Sequence, residues 1–107
     1  MEAEPSGEDG RARYTVVMHP DVADRDLKPL NRDIQLRILN AMESRLSVAP
    51  EQYGVPLRRS LKGYRKLRVG DYRVVYRMAG DEVRVFGVGN RNNVYDWVLS
   101  RTGWAPD

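Results

Sequence analysis

Leu61-Lys62-Gly63-Tyr64-Arg65-Lys66-Leu67-Arg68-Val69-Gly70-Asp71-Tyr72-Arg73-Val74-Val75-Tyr76 is the stretch from which the fold can be read. Two runs rich in β-branched and aromatic residues flank Gly70-Asp71, a two-residue turn of the kind that joins antiparallel strands. A turn of that length sets the register: Val69 pairs with Tyr72, Arg68 with Arg73, Leu67 with Val74 and Lys66 with Val75. Side chains alternate along a strand, so the chemistry separates into two faces. Leu67, Val69, Tyr72, Val74, Tyr76 and Met78 point one way, toward a core. Tyr64, Lys66, Arg68, Arg73, Val75 and Arg77 point the other way. Like charges paired across strands cost stability, so Arg68 opposite Arg73 needs a reason. Asp71, in the turn, is the only acid between Arg58 and Arg77, a stretch that also holds Arg59, Lys62 and Arg65. Such uncompensated clustering fits an anionic ligand.

Downstream, Glu82 to Val88 reads as a third strand, joined to Tyr72–Met78 by a turn around Gly80-Asp81. If that turn also has two residues, Phe86 pairs with Val75 and lands among the cations, where its ring can stack a nucleobase or else cover that second face with Val75; with a longer turn it belongs to the core. A last short helix holds Tyr95, Val98 and Leu99. Upstream, Ser47 to Pro56 contains Pro50, Gly54 and Pro56 and reads as a loop. Before it, Asn31 is a good N-cap for a helix whose Ile34, Ile38, Ala41, Met42 and Leu46 gather on one face. Asp21 through Leu30, broken by Pro29, is a shorter helix, so a helical hairpin results. Tyr14 to Met18 forms a first strand that ends at His19-Pro20, with His19 a surface or cap residue. Residues 1–12 show no apolar periodicity and are read as a disordered acidic tail, leaving residues 13–107 as the folded domain.

A chain of 107 residues holds one modest core. Its 41% hydrophobic and 31% charged residues are a globular composition. The absence of cysteine removes disulfides, thiolate chemistry and Cys-based zinc sites. No apolar run approaches the roughly 18 residues that span a bilayer, and no secretory leader pattern opens the chain, so a soluble cytoplasmic protein is expected. The net charge is +3, but the first ten residues hold four acids and no Lys or Arg, which leaves +7 on the remainder. A polyanion partner is one reading of that balance, and solubility the other.

The segment Leu61 to Tyr76 resembles the central part of RelE/ParE superfamily toxins, which share a Leu-Lys-Gly approach, a Lys-Leu-Arg strand, a Gly-Asp turn and a Tyr-Arg-Val-Val-Tyr strand. The likeness extends over roughly residues 13 to 100. It implies an α+β fold, a small curved antiparallel sheet of about four strands with the N-terminal helical hairpin packed on one face.

For the RelE-like branch the resemblance implies ribosome-dependent cleavage of mRNA, with the RNA's own 2′-hydroxyl as nucleophile and no metal or other cofactor. The protein must then take a proton, stabilise charge on the phosphate and assist the leaving 5′-oxygen. Lys66 matches a lysine of the cleavage face and Arg73 an arginine that contacts the scissile phosphate; Arg68 falls at a neighbouring basic position. Gly89-Asn90-Arg91-Asn92-Asn93-Val94-Tyr95 is similar to the family's Gly-His-Arg…Val-Tyr motif. Arg91 and Tyr95 match, but Asn90 stands where histidine is common, so proton transfer falls to Lys66, Arg91 and Tyr95. Arg77, Lys62, Tyr64 and Phe86 complete, with Arg68, the expected RNA-binding set. Tyr64 stands where some ribosome-dependent members carry a second lysine. The resemblance also implies a cognate antitoxin, held in a toxin–antitoxin hetero-oligomer, with mRNA and ribosome as targets. Two alternatives remain: a ParE-like inhibitor of DNA gyrase, and an RNA-binding module without turnover.

Overall fold

The central hairpin has the register expected from its turn. In the computed structural model, which describes residues 13–106, Val69 faces Tyr72, Arg68 faces Arg73, Leu67 faces Val74 and Lys66 faces Val75. Gly70 and Gly80 adopt positive φ of 60° and 63° at the first position of each two-residue turn, which a side chain would resist. The acidic tail expected over residues 1–12 lies outside the described residues.

Five strands form one sheet in the order β1-β5-β4-β3-β2. They are β1 (Thr15–Met18), β2 (Val55–Pro56), β3 (Arg65–Val69), β4 (Tyr72–Ala79) and β5 (Glu82–Asn90). Two features depart from the antiparallel sheet of about four strands. The end of the Ser47–Pro56 loop supplies the short β2, pairing Val55 with Lys66. The first strand runs parallel to β5, Val16 facing Val83 and Met18 facing Val85. The sheet is therefore mixed. An apolar run reveals that a strand exists but not which neighbour it joins or in what direction, and β1, the first strand in the chain, pairs with β5, the last.

The helical hairpin consists of α1 (Val22–Leu27), wound as a π-helix, and α2 (Arg32–Ala41), which continues into a π-helical segment, Met42–Leu46. Asn31 caps α2 by accepting the Ile34 N–H at 2.9 Å. The Gln35 amide donates to the carbonyls of Leu27 and Leu30 and so ties the two helices together. Val22, Leu27, Ile38, Met42 and Leu46 pack on Leu67, Val74, Tyr76, Val83, Val85 and Val88 to form the main core. Two further short helical elements, α3 (Pro50–Tyr53) and a 3₁₀ turn (Arg59–Leu61), flank β2 ahead of the β3–β5 meander, and α4 (Val94–Leu99) follows β5.

The expected pairing of Phe86 with Val75 is corrected. The β4–β5 ladder starts from a two-residue turn, Ala79 opposite Glu82, and holds to Tyr76 opposite Val85; Val75 then faces Gly87. Phe86 is the extra residue of a β-bulge. It still points away from the helical hairpin, but into a second core with Leu61, Tyr64, Val75, Val94 and Val98, against which Trp97 and Trp104 pack.

Candidate functional site

Strands β3 and β4 place Lys66, Arg68, Arg73 and Arg77 on the face opposite the helical hairpin. Helix α4 lies on the same face, and two glycines of β5 let it approach. A Cβ at Gly87 would sit 2.4 Å from Val98 Cγ2, and one at Gly89 would sit 2.2 Å from Trp97 Cζ2. The close approach brings the half-buried Tyr95 to Lys66, whose Nζ is 6.0 Å from the ring centroid. Arg73 faces Gly89 across the ladder and is half-buried. Its Nη1 donates to the carbonyls of Gly70 and Tyr72 at 3.0 and 2.9 Å, folding the guanidinium toward the hairpin turn. The Arg91 N–H donates to the Asp71 carbonyl at 3.0 Å, so the residue after β5 is tied to that turn while its side chain stays exposed. Asn90 uses its Oδ1 to accept the Asn92 N–H at 2.9 Å, shaping the loop that carries Arg91.

Tyr64 and Phe86, expected to offer rings to RNA, are corrected to packing residues. They are 6% and 0% exposed, meet edge to face at 5.0 Å, and the Tyr64 hydroxyl donates to the Thr102 carbonyl. Trp104 closes over Phe86 at 5.2 Å, so neither ring has a face left for a base. Arg77 is exposed above the Tyr64 ring and stands four residues along β4 from Arg73, about 13 Å at strand rise. Lys66, opposite Val75, lies midway between the two in register. Lys62 is exposed just after the 3₁₀ turn. His19 acts as a cap, its Nδ1 accepting the Asp21 N–H at 3.0 Å, with its ring against Trp104. Among the described residues no three His, Asp or Glu side chains gather as a metal ion requires, and no helix is long and apolar enough to cross a membrane.

Residues 17–95 match the sequence profile of the ParE toxin of type II toxin–antitoxin systems, parDE. The toxin of the RelBE2 toxin–antitoxin complex from Mycobacterium tuberculosis is 33% identical, with a TM-score of 0.68 over 74% of this chain and 99% of that one. The chain belongs to the RelE/ParE superfamily of type II toxins. Two more distant structures share the toxin's fold. The archaeal RelE–RelB complex from Pyrococcus horikoshii OT3 is 23% identical, with a TM-score of 0.58 over 75% of this chain and 97% of that one. A mutant of the E. coli toxin RelE in the free state is 20% identical, with a TM-score of 0.62 over 83% and 93%. No curated protein gives a significant match.

What the toxin's sequence concealed is the device that holds α4 in place. Arg101, just beyond α4, makes a two-pronged ion pair with Asp26 of α1 at 2.7 and 3.0 Å. Both side chains are buried. Asp26 also accepts the Val88 N–H at 2.9 Å, and Arg101 Nη1 donates to the Phe86 carbonyl at 3.1 Å. Nothing in spacing links residues 75 positions apart. The glycines did leave a signal: Gly87 and Gly89 alternate inside a strand, where glycine marks close approach of another segment.

Proposed function

We propose that this toxin is a metal-independent endoribonuclease that cuts mRNA at the ribosome and is held inactive by a cognate antitoxin. The observation that carries the reading is the meeting of Lys66 with Tyr95 on the cationic sheet face that also bears Arg73 and Arg68. In such a reaction the 2′-oxygen attacks the adjacent phosphorus, the bond to the 5′-oxygen breaks, and a cyclic phosphate and a 5′-hydroxyl result. Arg73 and Arg68 are suited to the charge that grows on the phosphate. Lys66, Tyr95 and Arg91 are the groups available to move protons at the two ends of the displacement. The two most similar complexes named above pair their toxins with an antitoxin, which supports the same partnership here. A substrate engaged on the ribosome assigns the toxin to the cytoplasm.

Cleavage of a translated mRNA by the wild type and by the Lys66→Ala, Arg73→Ala double variant tests the proposal. The wild type should cut and the double variant should not; equal cutting by both overturns the site. The match to the ParE family profile favours a second reading, inhibition of DNA gyrase. A wild type that blocks gyrase supercoiling and leaves mRNA intact establishes that reading instead.

A further inference from the structure

Helix α2 and the tip of the β3–β4 hairpin enclose a groove of about 500 Å³ that lies outside the Lys66–Tyr95 site. Arg37, Asn40, Ser44 and Arg45 line it from the helical side, and Arg68 to Gly70 from the sheet. Three arginines and no carboxylate belong to this lining, and among the described residues none of the three forms an ion pair. All three are exposed. A smaller cavity of about 290 Å³ shares Arg37 and Arg68 and ends at Asp71, the one acid in its lining.

The groove is continuous with the proposed cleavage face around the hairpin turn. A Cβ at Gly70 would lie 3.4 Å from Arg37 Nη2, so the Arg37 guanidinium rests against the same turn whose carbonyl accepts from Arg73. Arg68 is opposite Arg73 and also lines the groove. Its place in a two-residue hairpin turns its own N–H away from β4, and β2 stops short of it at Lys66. An anion entering here thus meets a main-chain donor as well as guanidinium forks.

We infer that this groove is a second phosphodiester track, which takes the sugar-phosphate backbone of an RNA strand as it passes around the hairpin from the cleavage face. The inference rests on the reading of that face as an RNA site. An acidic peptide would satisfy the charge equally, but a peptide groove needs apolar anchor pockets, and only Ala41 and Val69 are apolar in this lining.

The test is the salt dependence of binding to a 2′-O-methyl RNA strand, which the toxin cannot cut. For Arg37→Ala/Arg45→Ala the slope of log affinity against log salt should shrink by about 1.4, two single-strand phosphate contacts at about 0.7 each. Arg37→Lys/Arg45→Lys keeps both charges and should keep the slope. Arg32→Ala, at the exposed start of α2, is the control for charge lost elsewhere. An unchanged slope in the double Ala variant, or an equal loss per charge in Arg32→Ala, overturns the inference. So does a double variant that keeps its RNA slope but loses affinity for an acidic antitoxin peptide. Because the probe is never cut, a wild type that shows the groove effect yet cleaves no mRNA would overturn the enzyme reading alone.

Discussion

The two faces of the toxin's sheet are covered by different means. On one, the helical hairpin is held chiefly by an extended apolar core, through side chains that the 3.6-residue period of α2 and the alternation of the strands both deliver, with Asp26 adding one hydrogen bond to β5. On the other, a much smaller cluster around Phe86 and Val98 is completed by two close-approach glycines and by the buried Asp26–Arg101 pair. The difference separates tasks. A face secured by an extended core can leave the opposite side free to keep Arg68 against Arg73, a like-charge pairing that costs stability, beside the Lys66–Tyr95 contact on which the proposed site rests.

The comparison breaks most visibly at Asp26. Asp26→Ala removes the two-pronged partner of the buried Arg101 guanidinium, leaves it only Asp21 at 3.9 Å, and should destabilise the toxin by about 3 kcal/mol, read as a fall in melting temperature. Replacing the pair together, Asp26→Leu with Arg101→Met, should recover much of that loss, since apolar residues often substitute for a buried ion pair without penalty. If Asp26→Ala melts like the wild type, α4 is held by packing, and the two faces do not differ in kind.

Arg73→Ala probes the opposite property. Cleavage should fall about ten- to a thousandfold, as on losing one donor to a developing oxyanion, while the melting temperature holds or rises because the clash with Arg68 is gone. Arg73→Lys should restore only part of the rate, because an ammonium lacks the planar fork. A collapse of folding would move Arg73 from the site to the scaffold.

Much of this contrast is legible in the residues. The Gly70-Asp71 turn gives the β3–β4 register and both faces, Asn31 marks the start of α2, and the cationic stretch from Arg58 to Arg77 points to the side that carries Lys66 and Arg73. What is illegible depends on long-range partners or on a change of period. The parallel placement of β1 and the pair between Asp26 and Arg101 leave no local trace. Phe86 misleads because strict alternation assigns it a partner that the bulge gives to Gly87, and because nothing near it in sequence announces that Trp104 returns to cover it. Tyr64 follows from the same omission: a residue on the cationic face of the strand is buried once the C-terminal segment lies over it.

The smallest effect is expected at Tyr95, which belongs to both the second core and the site. Tyr95→Phe keeps the ring beside Lys66 and removes the hydroxyl; stability should stay within about 1 kcal/mol of the wild type while cleavage falls measurably. Tyr95→Ala should lose both. A Phe variant that cleaves like the wild type would leave the hydroxyl without a part in the chemistry and confine Tyr95 to packing.

Beyond Met18, β1 no longer borders β5, and the outer margin of that strand would ordinarily invite the backbone of another molecule. Asp26 and Arg101 occupy the vacancy with one acceptor and one donor, receiving the Val88 N–H and filling the Phe86 carbonyl. Two side chains of opposite charge thus imitate a missing strand. Two of the main-chain groups that a further strand would pair with are taken up from within the molecule.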